Sequence, residues 1–475
     1  MKRRRLIIIV TALFLVNLII GSHIYSKTEK DDYKDYELFS NVIKMVKKYY
    51  VDEDKTKTQS LIFGALKGMI QELDPYSQFM DPDVYKEMQI DTTGEFGGLG
   101  IEITKREGFV TVITPIDGTP AARAGVMPGD RIVKINDEVL REPDLNDVVK
   151  RLRGEPGTSV RITVVRGIKL KEFEITRDII RVPSVVDAKI LEDKIGYVRL
   201  VQFQESTSND LRVKLKELED QGMESLVLDL RNNPGGLLKS ACDVSELFIP
   251  AGKTIVTTKG RSPFQTMKYV SQTSVEHKTM PLVVLINKGS ASASEIVAGA
   301  IKDLQRGFLV GEKSFGKGSV QTILPVQGHE DVALRLTTAK YYTPSGICIH
   351  DIGIEPHFQV ILTLEEEEAR LLEKYKTMEE NLNNGKNKKS EPEKNDNDKP
   401  EEGARNIEDD ADVLSLTLGD KGSPKPKYDR QLQKAVDVLQ TYNFLVKQLD
   451  ETEAALKETA SGIKTGTENK EEIEQ

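Results

Sequence analysis

The pattern of hydrophobic positions divides the chain into regions of different period. Apolar residues recur at helical spacing between Asp35 and Tyr85, and again in a stripe from Leu432 to Leu449. Short apolar runs bounded by Gly, Pro and Asn lie between these regions and predict strands, several of them followed by helical periodicity. Alternating strands and helices predict a multidomain α/β protein with a mixed sheet in its core.

The clearest strand–loop–helix unit surrounds Ser292. Leu282 to Ile286 is a continuous apolar run, which predicts a buried strand. Small residues follow from Lys288 to Ser294, and apolar residues at helical spacing begin at Ile296. Backbone N–H groups and the positive end of the helix dipole face this bend, so it suits a group that becomes an oxyanion. A plain helix cap is the alternative, because Ser292-x-x-Glu295 also fits a capping box.

A serine nucleophile needs a base, and here a lysine is the better candidate. The five histidines form no compact Ser/His/Asp signature, and no G-x-S-x-G elbow is present. Lys317 stands between Gly316 and Gly318, where the missing Cβ atoms allow close approach to another backbone or side chain. A lysine can act as a base when burial lowers its pKa from ~10.4 towards neutrality.

Two spaced motifs then give a definite resemblance. S-A-S-A-S-E and, with its lysine 25 residues after Ser292, F-G-K-G-x-V-Q resemble the C-terminal (tail-specific) processing peptidases, serine proteases with a Ser/Lys dyad and a PDZ domain. The likeness extends from about Asp35 to Val360. It implies that Ser292 is the nucleophile, Lys317 the general base, and Gln321 the residue that orients the lysine.

The same resemblance implies an oxyanion hole. Leu226 to Leu230 predicts a second apolar strand, which ends in the phrase D-L-R-x-N-P-G-G. In the family, a glycine N–H of this phrase completes the hole with the amide after the nucleophile, here Ala293. The choice between Gly235 and Gly236 stays open. No G-x-G-x-x-G is present, so dinucleotide binding is not supported.

Residues 97–164 follow the order of a PDZ domain. Predicted strands cover Phe109–Ile113, Arg131–Ile135 and Val160–Val164, and an amphipathic helix carries Leu145, Val148, Val149 and Leu152. G-L-G-I resembles the carboxylate-binding loop, where N–H groups capture a chain terminus that adds as a strand. The implied peptide-binding residues are Gly98, Leu99, Gly100, Ile101 and Arg153. Arg153 aligns with a family arginine thought to couple peptide occupancy to activation.

The first residues predict a membrane segment. Met1-Lys-Arg-Arg-Arg5 precedes an uncharged run from Leu6 to Ser26, long enough to span a bilayer with its positive flank in the cytoplasm. A cleaved secretory signal is the rival interpretation, but no A-x-A-like site follows the apolar part. Both interpretations place the body outside the cytoplasm, in the cell envelope, with anchoring by one N-terminal helix favoured.

Composition narrows the remaining function classes. The net charge is −9 and no basic stripe is interleaved with aromatics, so nucleic acid is not an expected partner. Two cysteines, and no C-x-x-C or H-E-x-x-H, indicate neither a disulfide framework nor a metal. Gly311 to Gly318 approaches a phosphate loop, but its eighth position is glycine and a strand is predicted to follow. No cofactor is therefore expected.

The remaining segments set the domain boundaries. Leu73-Asp-Pro-Tyr-Ser77 resembles the family's N-terminal helical segment and predicts a packing subdomain, and His357 is interpreted as structural. The apolar stripe near the C-terminus fits core packing or a dimer contact equally well. The predicted domains are a membrane segment (1–27), a helical segment (28–92), a PDZ domain (93–178), the protease core (179–364), a charged helix with a disordered linker (365–427), a C-terminal helix (428–460) and a disordered tail (461–475).

These observations predict an envelope serine endopeptidase that recognises the C-termini of protein or peptide substrates through its PDZ domain. The alternative is a PDZ scaffold or binding protein with an inactive protease core. The intact set of Ser292, Lys317 and Gln321 favours the enzyme, because a scaffold has no need to keep the three together. The sequence leaves open whether a homo-oligomer or an adaptor protein is involved.

Overall fold

The computed structural model describes residues 33–106, 108–272, 277, 279–363, 365–366 and 429–471, with side chains up to residue 452. These residues form two compact units. The first holds residues up to Lys86 together with Gln321–Thr337, and the second holds Glu87–Val320 and the residues from Thr338 onwards. The predicted membrane segment and most of the predicted linker lie outside the described residues.

The first unit is a small helical subdomain closed by a strand pair. Its elements are α1 (33–49), α2 (Thr58–Gln71), β1 (Gln78–Met80), the start of α3 (Pro82–Thr93), and the adjoining parts of β17 (Ser319–Val326) and β18 (His329–Tyr342). β1 pairs antiparallel with β18, which places Gln78 opposite Arg335. Ile70, Phe79 and Val332 form the buried core between them.

Residues 99–177 form the β-rich fold expected of a PDZ domain. Its elements are β3 (Ile101–Arg106), β4 (Phe109–Pro115), α4 (Pro120–Ala124), β5 (Arg131–Ile135), β6 (Glu138–Val139), α5 (Leu145–Leu152), β7 (Ser159–Arg166) and β8 (Lys169–Thr176). The strand order is β3-β4-β5-β7-β8, so β3 forms one edge of the sheet. Val148 and Leu152 of α5 are buried in the domain core, as the helical spacing predicts.

A two-stranded ribbon carries the chain into and out of the PDZ domain. β2 (Glu95–Gly98) and β9 (Asp178–Arg181) pair antiparallel, with Glu95 opposite Arg181. Gly97 also accepts a backbone hydrogen bond from Gly154, the second residue after α5. The end of α5 is thereby joined to the ribbon.

The protease core has a mixed sheet with helices on both faces. Its strands are β10 (Val185–Ile190), β11 (Ile195–Leu200), β12 (Ser225–Asp229), β15 (Leu282–Ile286), β16 (Phe308–Gly311) and β19 (Phe358–Gln359), hydrogen-bonded in that order. β10 is antiparallel to β11, and the other pairs are parallel. The strand predicted at Leu282–Ile286 has these bounds and is buried throughout, as a strand covered on both faces should be.

Alternate residues of the central strands face different helices. Leu226 and Leu228 belong to the core shared with α6 (Thr207–Asp220), α7 (Leu238–Glu246) and α8 (Ala293–Asp303). Val227 belongs to the core on the opposite face, shared with α9 (Arg430–Glu471). In the same unit, β13 (Thr254–Gly260) pairs with β14 (Met267–Val270) and with the Tyr342 end of β18.

The C-terminal helix decides one open question and corrects one boundary. Ala435 and Leu439 are buried against the sheet, so this half of the apolar stripe serves core packing. Leu449 is 69% exposed. The sequence placed the end of the helix at residue 460, but α9 runs to Glu471, where a disordered tail was expected. The apolar stripe ends before the helix does, because apolar residues are needed only where the helix packs on the sheet. The helix itself can continue beyond that point, because each added residue forms a backbone hydrogen bond whether or not it is buried.

Candidate active site

Ser292 lies at the turn between β15 and α8 with an unusual backbone. Its φ and ψ are +54° and −112°, whereas an ordinary N-cap residue is in the extended region. A non-glycine residue at such angles is strained and persists only when its surroundings fix it. The capping box of Ser292 and Glu295 is present, but an ordinary cap does not require this backbone conformation.

The three serines of the S-A-S-A-S loop have different environments. Ser290 and Ser294 are fully buried, and their hydroxyls donate to the carbonyls of Leu230 and Asn233 at 2.8 and 2.9 Å. Ser292 is partly exposed. The outer two serines join this loop to the loop after β12, and the middle one is left accessible to a substrate.

Glu295 links the serine loop to the lysine segment. Its side chain is fully buried, and its carboxylate accepts four hydrogen bonds. One oxygen accepts the N–H of Ser292 at 2.8 Å and that of Lys317 at 2.9 Å, and the other accepts the Ser314 hydroxyl at 2.6 Å and the N–H of Gly316 at 2.7 Å. Burial raises the pKa of the Glu295 carboxyl, and these four hydrogen bonds oppose that shift. A single carboxylate thus fixes the backbones of Ser292 and Lys317 relative to each other.

The lysine segment is also fixed from its other side. The carbonyl of Lys317 accepts the hydroxyl of Tyr341, and that of Gly318 accepts the N–H of Tyr341. Gly318 packs on the backbone of His350 so closely that a Cβ atom would overlap it. The close approach expected of a lysine flanked by glycines is therefore present at Gly318.

The two glycines after β12 differ in what they contact. A Cβ atom on Gly235 would lie 2.8 Å from Cβ of Ser292 and 2.9 Å from the nitrogen of Ala293. The N–H of Gly235 donates to Oδ1 of Asn233 at 2.9 Å. Within the described ranges, the N–H groups of Ala293 and Gly236 have no acceptor. Gly236 packs against the backbone of Phe203 and is exposed.

The D-L-R part of the same phrase is a buried ion-pair network. Asp229 accepts the Tyr197 hydroxyl at 2.7 Å and pairs with Arg231 at 2.6 Å. Arg231 also reaches Asp429 at 2.7 Å and Gln431 at 3.1 Å, at the start of α9. Burial alone would raise the pKa of Asp229, but the adjacent guanidinium holds it below its usual range. These side chains anchor the loop that carries Gly235.

Gln321 belongs to the first unit. Its side-chain nitrogen donates to Oγ1 of Thr337 at 3.0 Å. Of the four residues predicted in the PDZ loop, Gly100 has φ +73° and packs on Thr119, and Leu99 is buried. Arg153 follows α5, and its guanidinium lies 4.4 Å from the ring centroid of Phe96 in β2.

The remaining candidates have structural surroundings. His357 accepts the N–H of Leu309 through Nδ1 at 2.9 Å, and burial lowers its pKa. Burial raises the pKa of Cys242 to about 12. Across the described positions, no group of His, Cys, Asp and Glu could hold a metal ion. No helix in the described part of the chain has the length and apolar composition that a membrane crossing requires, and the run from Leu6 to Ser26 lies outside that part.

The sequence indicates Glu295 only as a capping residue. The signal is the acidic residue in the first turn of an otherwise small and apolar helix, where a capping box brings the carboxylate to the serine turn. Asp74 and Ser77 were assigned to packing. The hydrogen bond from the N–H of Thr337 to the Ser77 hydroxyl forms only when β1 pairs with β18, across more than 250 residues of chain, and no local pattern reports such a pairing.

Comparison with known proteins gives consistent matches along the chain. Family models match as peptidase family S41 over residues 194–360, PDZ domain over 111–166 and activating protease CtpB N-terminal domain over 21–84. A carboxy-terminal-processing protease of Bartonella bacilliformis is 43% identical over 381 residues, covering 78% of this chain and 85% of that one. A probable CtpA-like serine protease of Staphylococcus aureus is 36% identical over 352 residues, covering 74% and 70%. Among solved structures, the photosystem II D1 C-terminal processing protease is 29% identical and covers 68% of this chain and 92% of that one, with a TM-score of 0.39.

Proposed function

Because this chain belongs to the carboxy-terminal-processing proteases of peptidase family S41, and is a serine-type peptidase with a PDZ domain, we propose that Ser292 is its nucleophile and Lys317 its general base. The observation that carries this proposal is the Glu295 carboxylate, which hydrogen-bonds the N–H groups of both residues. Such shared anchoring holds two reacting groups in a fixed geometry before the substrate arrives.

The reaction proceeds through an acyl-enzyme. Neutral Lys317 takes the proton of the Ser292 hydroxyl as Oγ attacks the scissile carbonyl carbon. The lysine then gives this proton to the leaving amine as the C–N bond breaks. A water molecule next loses a proton to Lys317 and attacks the ester carbonyl, and Ser292 recovers its proton when the acid product leaves.

The oxyanion would be held by backbone donors at the serine turn. We assign the N–H groups of Ala293 and Gly236 to this task, because both lack an acceptor among the described residues. Gly235 serves differently. Its N–H is already donated to Asn233, and its missing side chain leaves room beside Ser292.

The PDZ domain would bind the substrate's C-terminal end as an added strand. β3 is an edge strand, and the N–H groups of Leu99 and Gly100 have no acceptor within the described ranges. Ile101, Ile103 and Leu145 are partly buried apolar residues packed on the same core, which suits an apolar terminal side chain. Arg153 would transmit peptide occupancy from α5 to the ribbon that joins this domain to the core.

Location follows from the N-terminal run. The uncharged segment from Leu6 to Ser26 and the basic residues before it support an anchor that leaves the enzyme on the outer side of the cytoplasmic membrane. The N-terminal mass of the protein isolated from native membranes tests this proposal. A mature chain that starts near Lys27 would contradict it.

Proteolysis of an unstructured peptide with an apolar C-terminus tests the catalytic assignment. The full chain should cleave it, and Ser292→Ala and Lys317→Ala should each lose turnover while keeping the unfolding transition and PDZ–peptide affinity of the parent. Cleavage by Ser292→Ala at the parent rate would remove the assignment. Loss in Ser292→Ala alone would move the base to another residue.

A further inference from the structure

The hairpin formed by β7 and β8 in the PDZ domain ends in an exposed apolar tip. Its register pairs Arg166 with Lys169, which leaves a two-residue turn between them. Gly167 supplies the positive φ of this turn, +61°, and Ile168 follows it with 99% of its surface exposed. Leu170, the second residue of β8, is 68% exposed. Turns favour Gly, Asn, Asp and Ser, so neither turn chemistry nor core packing explains an isoleucine at this tip.

The surroundings of these two apolar residues are cationic. Lys169 and Lys171 are exposed, and neither has an ion-pair partner among the residues that the structure describes. β7 contains no acidic residue, and the first one after the turn is Glu172. Glu172 lies four residues beyond Ile168, about 13 Å along the strand, which exceeds the Debye length of about 8–10 Å. Its carboxylate is also paired with Arg161 at 3.3 Å. The tip is therefore locally positive although the chain has a net charge of −9.

The base of the hairpin is held by a largely buried ion pair. Two nitrogens of the Arg166 guanidinium donate to the two carboxylate oxygens of Asp130, each at 2.7 Å, and Asp130 is fully buried. The same guanidinium donates to the Gly125 carbonyl at 2.9 Å. The loop of residues 125–130 is thereby joined to the hairpin, and it carries Met127, which is 43% exposed. A tip on such a fixed base loses little conformational freedom when it binds.

An apolar tip flanked by free cations matches the surface of an anionic lipid bilayer. Apolar side chains enter the boundary between headgroups and acyl chains, and lysine extends its amine towards the headgroup phosphates. A stable protein interface would bury far more surface than two such side chains offer. We propose that the β7–β8 hairpin inserts Ile168 and Leu170 into an anionic lipid surface, with Lys169 and Lys171 at the headgroups.

This inference rests on the proposed location of the chain, because an anchored protein stays beside the bilayer. The tip alone would bind weakly and reversibly, as a single short apolar insertion does. An anchor in the same chain raises the effective concentration of lipid at the tip, so a weak contact can be populated. Each lysine near an anionic surface strengthens this contact roughly fivefold. The contact would hold the peptide-binding domain at the lipid surface.

A single tryptophan tests the inference, because the chain contains none. Ile168→Trp is made in the full chain and reconstituted into vesicles of phosphatidylglycerol and phosphatidylcholine whose acyl chains carry bromine, which quenches indole fluorescence. We expect roughly twofold quenching and a blue-shifted emission, since an interfacial side chain lies about 5–10 Å into the boundary of headgroups and acyl chains. Adding Lys169→Gln and Lys171→Gln should weaken the contact by roughly fivefold for each lysine. Vesicles of phosphatidylcholine alone should quench less.

Two further variants separate the tip from any exposed apolar residue. Val139 is 54% exposed in the β5–β6 hairpin of the same domain and follows Asp137 and Glu138. The indole of Val139→Trp should stay unquenched, because anionic headgroups repel the neighbouring carboxylates. Leu170→Trp keeps the native isoleucine and should be quenched, and a further Ile168→Asp should remove that quenching.

The inference is overturned if the Ile168→Trp chain floats with the vesicles but its indole is not quenched. Equal quenching of Val139→Trp, or equal quenching in phosphatidylcholine alone, would overturn it as well. A chain that does not float with the vesicles would overturn the proposed anchor together with the hairpin contact. The catalytic assignment is tested separately by peptide cleavage with Ser292→Ala and Lys317→Ala, and no fluorescence result bears on it.

Discussion

At the scale of single residues, the site depends on groups whose hydrogen bonds allow only one arrangement. Glu295 accepts four donors and offers none, so it is matched to its surroundings as a carboxylate. Ser292 has a backbone conformation that costs roughly 1–3 kcal/mol and is fixed by these bonds. The hydrogen bonds that pair the buried carboxylate of Glu295 therefore also hold the strained backbone of Ser292.

Glu295→Gln should break this set of hydrogen bonds, although it only replaces one carboxylate oxygen by an NH₂ group. In one orientation the new NH₂ group would face the N–H groups of Ser292 and Lys317. In the other it would face the N–H of Gly316 and the Ser314 hydroxyl. Hydrogen bonds are lost in both cases, because two donors then face each other. We expect stability to fall by about 2–3 kcal/mol, the cost of leaving buried polar groups unpaired. We also expect kcat to fall by about 100-fold, because a small misplacement of reacting groups has an effect of that size.

Urea unfolding and steady-state kinetics of the same variant measure the two effects. Lys302→Gln is the control, since this partly exposed α8 side chain donates to the Glu355 carbonyl and does not contact the Glu295 carboxylate. It should change neither quantity appreciably. Parent-like turnover in Glu295→Gln would show that the two loops keep their positions without the carboxylate.

At the scale of elements, the sequence predicted what depends on local pattern. The bounds of β15, the course of α5 and the strand–turn–helix around Ser292 follow from apolar period and small residues. Local pattern does not predict the pairing of β1 with β18 or the packing of α9 on the sheet, because both join residues far apart in the chain. The ribbon of β2 and β9 was also missed, since Gly97 and Gly98 resemble an ordinary glycine turn.

The proposed role of Arg153, to transmit peptide occupancy to the ribbon of β2 and β9, can be measured. Arg153→Ala would remove the stacking of the guanidinium on Phe96, 4.4 Å away, and loosen α5 from β2. We expect kcat to fall several-fold while the Kd for a C-terminal peptide changes less, because the peptide shifts activity only through its differential affinity for the active state. Arg123→Ala is the control, since its partner Asp178 also lies in the ribbon but both side chains are largely exposed. Equal losses of affinity and turnover in Arg153→Ala would mean that the domain only tethers substrate.

At the scale of the whole chain, the catalytic core includes a segment far from its motifs. Arg231 pairs with Asp229 on one side and with Asp429 and Gln431 on the other, 198 and 200 positions away. α9 also covers the sheet face that holds Val227. The C-terminal helix is therefore part of the protease core, as expected of a sheet that is covered by helices on both faces.

Asp429→Ala tests whether the stability of the protease core depends on the ion pair between Arg231 and Asp429. Arg231 is 3% exposed, so removing one of its carboxylate partners leaves a buried charge partly unpaired. We expect a loss of about 1–3 kcal/mol in unfolding free energy and a lower kcat, since Arg231 begins the loop that carries Gly235. Asp437→Ala, at an exposed position of the same helix, should stay within about 0.5 kcal/mol of the parent. Equal stability of the two variants, measured by urea unfolding, would contradict the role of this ion pair.

The long separation between Arg231 and Asp429 has a consequence for the timing of synthesis. A ribosome completes Ser292, Lys317 and every strand of the core sheet before it adds Asp429. During that interval the sheet face that holds Val227 is not covered by Ala435 and Leu439, and the guanidinium of Arg231 lacks its second carboxylate partner. An incomplete core of this kind buries less apolar surface to offset the chain entropy that is lost on folding. We therefore expect the nascent chain to carry Ser292 and Lys317, the proposed catalytic residues, before it can hold them in place, and to acquire a working site only once α9 has been made.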